Sequence, residues 1–88
     1  MKVILSPQAE KELRKLPKIG QIAISQKIRS IRDETRVSQI EKLRGLKNIF
    51  RVRVGDYRIV YKKTRTEIYI ILIRHRRDVY RLIRRWLR

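Results

Sequence analysis

The stretch Phe50-Arg51-Val52-Arg53-Val54-Gly55-Asp56-Tyr57-Arg58-Ile59-Val60-Tyr61 decides how this chain is read. It alternates along its length, and Gly55-Asp56 has the character of a two-residue hairpin turn. An antiparallel hairpin closed by that turn pairs Val54 with Tyr57, Arg53 with Arg58, Val52 with Ile59 and Phe50 with Tyr61. One face then holds Phe50, Val52, Val54, Tyr57, Ile59 and Tyr61, and is expected to be core. The other holds Arg51, Arg53 and Arg58. Like charges directly opposite one another destabilise a sheet. A chain that keeps this arrangement is expected to use its concentrated positive charge on an anionic ligand.

Outward from the hairpin, Thr66 to Ile73 is rich in β-branched residues and apolar on both faces, which predicts a central strand. Three strands are expected over about 48–54, 57–62 and 67–74. Upstream, Lys2 to Leu5 reads as a short strand. Ser6-Pro7 then starts a helix, with Ser6 as cap and Pro7 at the first helical position. That helix runs to about Lys15 and stops before Pro17. A second covers roughly Ile19 to Glu34, with Ile24, Ile28 and Ile31 on one stripe and Ile19, Ile22 and Ala23 at its start. Residues 36–47 are a connector that carries Lys42-Leu43-Arg44-Gly45. The tail reads as a helix capped by Asp78, with Val79, Leu82, Ile83, Trp86 and Leu87 on one face. Arg81, Arg84, Arg85 and Arg88 lie elsewhere on it. Docking on the sheet, binding a partner and lying on an anionic membrane all stay open for that helix. The element order is β-α-α-β-β-β-α, an α+β chain of one small domain spanning 1–88.

Charge is the strongest global fact. The 88 residues hold 25 basic and 8 acidic side chains, for a net +17. The excess falls mostly after residue 41. A thermophile's surface adds glutamate along with lysine and arginine, and here acids are scarce, so a polyanionic partner is expected. There is no cysteine, which excludes disulfides and thiolate zinc sites and fits a reducing compartment such as the cytoplasm. No signal peptide is read at the start. The longest apolar run, Ile68 to Ile73, is far short of the roughly 20 residues that span a bilayer, so no membrane partner is expected. A lone histidine and no carboxylate cluster call for no metal and no cofactor.

Three segments, Lys42-Leu43-Arg44-Gly45, the hairpin 50–61 and His75-Arg76-Arg77-Asp78-Val79-Tyr80, occur in an order and spacing that resembles the RelE family of toxin–antitoxin ribonucleases, within the RelE/ParE superfamily. The resemblance covers essentially the whole chain. It implies a small antiparallel sheet with two helices on one side. It also implies cleavage of messenger RNA in the ribosomal A site, and inhibition by an acidic RelB-like antitoxin in a hetero-oligomer. Carried over by position, Arg51 and Arg53 match the basic pair on the first hairpin strand, and Arg58 the arginine after the tyrosine. Arg76 matches the arginine after the third strand, Tyr80 the tyrosine near the last helix, and Arg44 a frequent basic position in the connector. The chain departs from the family in three ways: Arg51 and Arg53 stand where the best-studied branch has lysines, Arg74 stands where many relatives have glycine, and the segment from Arg76 to Tyr80 is shorter than in some members.

Metal-free RNA cleavage uses the 2′-OH beside the scissile phosphate as nucleophile. The expected catalytic set is Arg58, Arg76, Tyr80 and Arg53; Arg51, Arg44, Lys42 and His75 are expected to bind substrate. Arg51 and Arg53 would hold substrate phosphates, Arg58 the transition-state charge, and Arg76 the scissile phosphate or leaving group. Arginine does not deprotonate in proteins, which leaves His75 and Tyr80 as candidate bases. Tyr80 could instead orient the 2′-OH or stack on a base. Alternation puts His75 on a face with Tyr69, Ile71 and Ile73, which favours a structural role for it. A ParE-like inhibitor of DNA gyrase and a non-catalytic RNA-binding module are the competing functions.

Overall fold

A computed structural model describes residues 1–34, 40–75 and 85. Its elements are β1 (Lys2–Leu5), α1 (Pro7–Lys15), α2 (Lys18–Arg32), β2 (Ile40–Lys42), β3 (Ile49–Val54), β4 (Tyr57–Lys63) and β5 (Glu67–His75). The strands form one five-stranded sheet in the order β1-β5-β4-β3-β2. The expected α+β class holds, with one correction to the sheet: it is mixed rather than antiparallel. β1 pairs with β5 in parallel, Leu5 opposite Ile70; α1, α2 and β2 to β4 all lie between the two in the chain, the long connection that parallel neighbours require. A second correction concerns the connector, which supplies a short edge strand, β2, paired antiparallel with β3. The tail helix expected from Asp78 onward lies outside the described residues apart from Arg85, which is helical and exposed.

The hairpin closes in the register read from the sequence: Val54 with Tyr57, Arg53 with Arg58, Val52 with Ile59, Phe50 with Tyr61. Gly55 takes φ 59° while Asp56 stays out of the left-handed region. Positive φ at the first central position only is the pattern of a type II′ turn, whose twist matches that of the strands it joins. β5 lies between β1 and β4 as its two-sided apolar pattern predicted.

The principal core lies between the sheet and the two helices. Val52, Ile59, Tyr61, Ile68, Ile70 and Ile73 are buried from the sheet, with Ala9, Ile24, Ile28 and Ile31 from the helices. Phe50 and Tyr61 stack with ring centroids 5.6 Å apart. Ile19 and Ile22, at the start of α2, are 81% and 50% exposed and belong to no core.

Ser6 caps α1 by accepting the Ala9 N–H at 2.9 Å, and its hydroxyl donates to the Ile71 carbonyl at 2.6 Å. The first turn of the helix is thereby tied to the middle of the sheet. Beyond the end of β1 the ladder on that side of β5 is continued by α1, where Glu12 accepts the Ile73 N–H at 3.0 Å.

A smaller core sits on the opposite face. Leu43 of the connector covers Val60 and Leu72, with Leu46, Ile49 and Ile71 packed around them. The β4–β5 register shifts beside it: Tyr61 pairs with Ile70 but Val60 with Leu72. One residue on β5 is thus extra, and the alternation of that strand reverses across it. Val60 is fully buried on the face that carries the arginines, so that face is partly apolar.

Candidate nucleic-acid interface

Strict alternation on β3 and β4 puts Arg51, Arg53 and Arg58 on the face away from the helices, and the turn draws two of them together. Arg53 Nε donates to the Gly55 carbonyl at 3.2 Å. Arg58 Nη1 reaches the same oxygen at 3.4 Å and the Tyr57 carbonyl at 3.1 Å. Two guanidinium groups therefore sit within two hydrogen-bond lengths of each other, bridged by one backbone oxygen. Arg58 is 9% exposed although it is charged. A cation held that far out of water meets an anion with little screening.

The third arginine is held by a carboxylate. Glu41 on β2 is opposite Arg51 on β3, and the two side chains form an ion pair. Together Ile40, Glu41, Arg51, Arg53 and Arg58 line an open cleft of about 460 Å³. Its chemistry suits an anion: several fixed cations with one carboxylate beside them. Glu41 did not figure among the expected site residues. Its signal was present, since it is the only acid between Glu34 and Asp56, but only the β2–β3 register reveals that it faces Arg51.

Other expected site residues fall elsewhere. Lys42 pairs with Phe50, which puts it on the helix face of β2. With Arg44, Lys47 and the intervening residues it lines a separate surface hollow of about 540 Å³, which shares no lining residue with the arginine cleft. His75 is opposite Tyr57 and meets that ring edge-on at 6.1 Å. It lies on the helix face with Ile73, as expected, but Tyr69 and Ile71 do not share that face, because the extra residue in β5 intervenes. Arg76 and Tyr80 lie outside the described residues. Among the described residues no three His, Cys, Asp or Glu side chains are grouped as metal ligands.

Comparison with known proteins identifies the class that this fold and cleft define. The model of the ParE toxin family of type II toxin–antitoxin systems, parDE, matches residues 3–80. The chain belongs to that family and is a toxin of the RelE/ParE superfamily. Solved structures agree on the fold. The isolated Escherichia coli RelE toxin is 24% identical with a TM-score of 0.73, covering 98% of each chain. The toxin in the RelB–RelE antitoxin–toxin complex from Methanococcus jannaschii is 23% identical, with a TM-score of 0.74 over 90% of this chain and 96% of its own. The RelE–RelB complex from Pyrococcus horikoshii gives 28% identity and a TM-score of 0.70 over 85% of this chain and 93% of its own. No curated protein sequence matches significantly.

Proposed function

We propose that this toxin is a ribosome-dependent endoribonuclease that cleaves messenger RNA in the A site. The observation that carries the reading is the meeting of Arg53 and Arg58 at the Gly55 carbonyl, in a cleft whose wall is the Arg51–Glu41 pair. In the reaction the 2′-oxygen bonds to phosphorus as the bond to the 5′-oxygen breaks. The products are a 2′,3′-cyclic phosphate and a 5′-hydroxyl. Charge accumulates on the non-bridging oxygens, and fixed guanidinium groups stabilise it without reorganising, commonly the largest catalytic contribution. Arg51 and Arg53 bind the phosphates, Arg58 takes the transition-state charge, and Arg76 takes the scissile phosphate or the leaving oxygen. Glu41 accepts the 2′-OH proton, a role that neither arginine can fill, and solvent water supplies the proton that the departing 5′-oxygen takes up to leave as a hydroxyl. Tyr80 orients the nucleotide. Lys42, Arg44 and Lys47 contact ribosomal RNA from their own hollow.

The partner in the resting cell is a cognate antitoxin, as the RelB–RelE complexes among the structural relatives suggest. Its chemistry is acidic, to match a toxin with net charge +17. A cytoplasmic location follows from the ribosomal substrate, and among the described residues no helix is long and apolar enough to cross a membrane.

Incubation with programmed ribosomes, followed by mapping of transcript ends, tests the reading. Ends clustered at the A-site codon support it; intact transcripts from folded toxin refute it. The ParE name of the matching family favours one second reading, inhibition of DNA gyrase. A supercoiling assay separates the two, because a ribonuclease leaves gyrase untouched.

A further inference from the structure

Arg74 extends the arginine row. On β4 and β5 it stands directly opposite Arg58, which is itself opposite Arg53 on β3. Three arginines thus cross three adjacent strands in one line, each strand roughly 4.8 Å from the next. The like-charge cost of the hairpin is repeated on its other side. The end of the row is fixed as firmly as its middle. Arg74 Nε donates to one carboxylate oxygen of Glu12, whose other oxygen accepts the Ile73 N–H at 3.0 Å. Glu12 is largely buried, its side chain 13% exposed, while Arg74 keeps 31%. Only the Nε edge of the guanidinium is engaged among the described residues, which leaves its two terminal nitrogens for a ligand.

We propose that Arg74 is a further phosphate-binding residue, contacting the RNA strand next to the nucleotide held over Arg53 and Arg58, with Glu12 as its positioning residue. The inference rests on the ribonuclease reading for its ligand, a single RNA strand. A row of cations running across the strands sets the direction of that strand: from the Glu41–Arg51 wall at one side of the sheet towards β5 at the other. An ion pair of purely structural purpose would need neither the alignment with Arg58 nor the exposed edge of the guanidinium.

The test uses the full-length toxin and an uncleavable 2′-O-methyl RNA oligonucleotide, with affinity followed across a salt series. Removal of one cation that neutralises a phosphate of a single strand flattens the plot of log affinity against log salt by about 0.7. Arg74→Gln is expected to show that flattening and to bind about tenfold more weakly at low salt. Arg74→Lys, which keeps the charge, is expected to keep the wild-type slope. Removing one member of a part-buried pair can unfold a protein. The double variant Glu12→Gln, Arg74→Gln, compared with Glu12→Gln alone, therefore repeats the measurement with no unpaired carboxylate and with an acceptor kept for the Ile73 N–H. Equal slopes in both comparisons overturn the proposal and leave the pair a structural brace of β5. Programmed ribosomes treated in parallel separate the two ideas. Absence of cleavage by the wild type removes the ribonuclease reading, whereas cleavage with unchanged slopes removes only the role of Arg74.

Discussion

At the scale of single residues, alternation foretold which side chains of the hairpin share a face, failed for Tyr69 and Ile71 on β5, and did not say which side chains meet. The pairing of Arg53 with Arg58 followed from the turn. The shared acceptor at Gly55 did not, because it depends on how two long side chains fold back on the chain. His75 and Glu41 show the same limit from opposite sides. His75 attracted attention by its intrinsic pKa and sits against Tyr57; Glu41, in a three-residue strand with no clear periodicity, faces the cleft. Substitution of Glu41 by Gln is expected to lower the cleavage rate about 100-fold or more while RNA affinity holds or rises, since a general base contributes about 10²–10⁴. Single-turnover rates beside equilibrium binding check this, and a parallel loss of binding would make Glu41 only a holder of Arg51. Tyr61 supplies a pH-dependent prediction. Burial raises its pKa above the ordinary 10.0, so its phenol keeps its proton in the folded chain after it would have lost it unfolded. The stability from this neutral, buried phenol is fully present below pH 10 and is lost as pH rises through the folded value. Tyr61→Phe should therefore denature less steeply than wild type above pH 10, and coincident alkaline unfolding curves would contradict it.

At the scale of elements, the hairpin and both helices were legible because each carries its own local chemistry: a Gly-Asp turn, a Ser-Pro start, an isoleucine stripe. Gly55→Ala tests the turn. A Cβ there has open space around it, so the whole cost is the left-handed backbone at φ 59°, about 1 kcal/mol of stability in denaturant melts. Ser6→Ala tests the joint between α1 and β5. It removes a cap and a bond to Ile71 together and is expected to cost about 1–2 kcal/mol; a loss within a few tenths would mean that water replaces the hydroxyl. The mixed sheet and the extra residue in β5 were not legible. Both arise from pairings between segments more than 60 residues apart or from a register slip, and neither has a local signature. The slip matters to the site, since it sets Leu72 opposite Val60, and Leu43 covers both on the arginine face.

At the scale of the whole molecule, charge was the feature most open to reading and the one that links stability to function. A net +17 repels itself when free, so salt is expected to raise the melting temperature of the isolated toxin while weakening its RNA binding. A melting temperature that falls between about 50 and 500 mM salt would show that specific ion pairs such as Arg51–Glu41 outweigh the repulsion. An acidic antitoxin that binds only the folded state should stabilise it further with increasing concentration. The central claim is that the arginines gathered under the hairpin turn stabilise charge on a breaking phosphodiester, and the Arg58→Ala variant tests it most directly through its single-turnover cleavage rate on programmed ribosomes, measured alongside its thermal melt. The account predicts a rate reduced about 100-fold or more in a protein that still melts cooperatively; cleavage at the wild-type rate, or loss of activity only because the variant is unfolded, would contradict it.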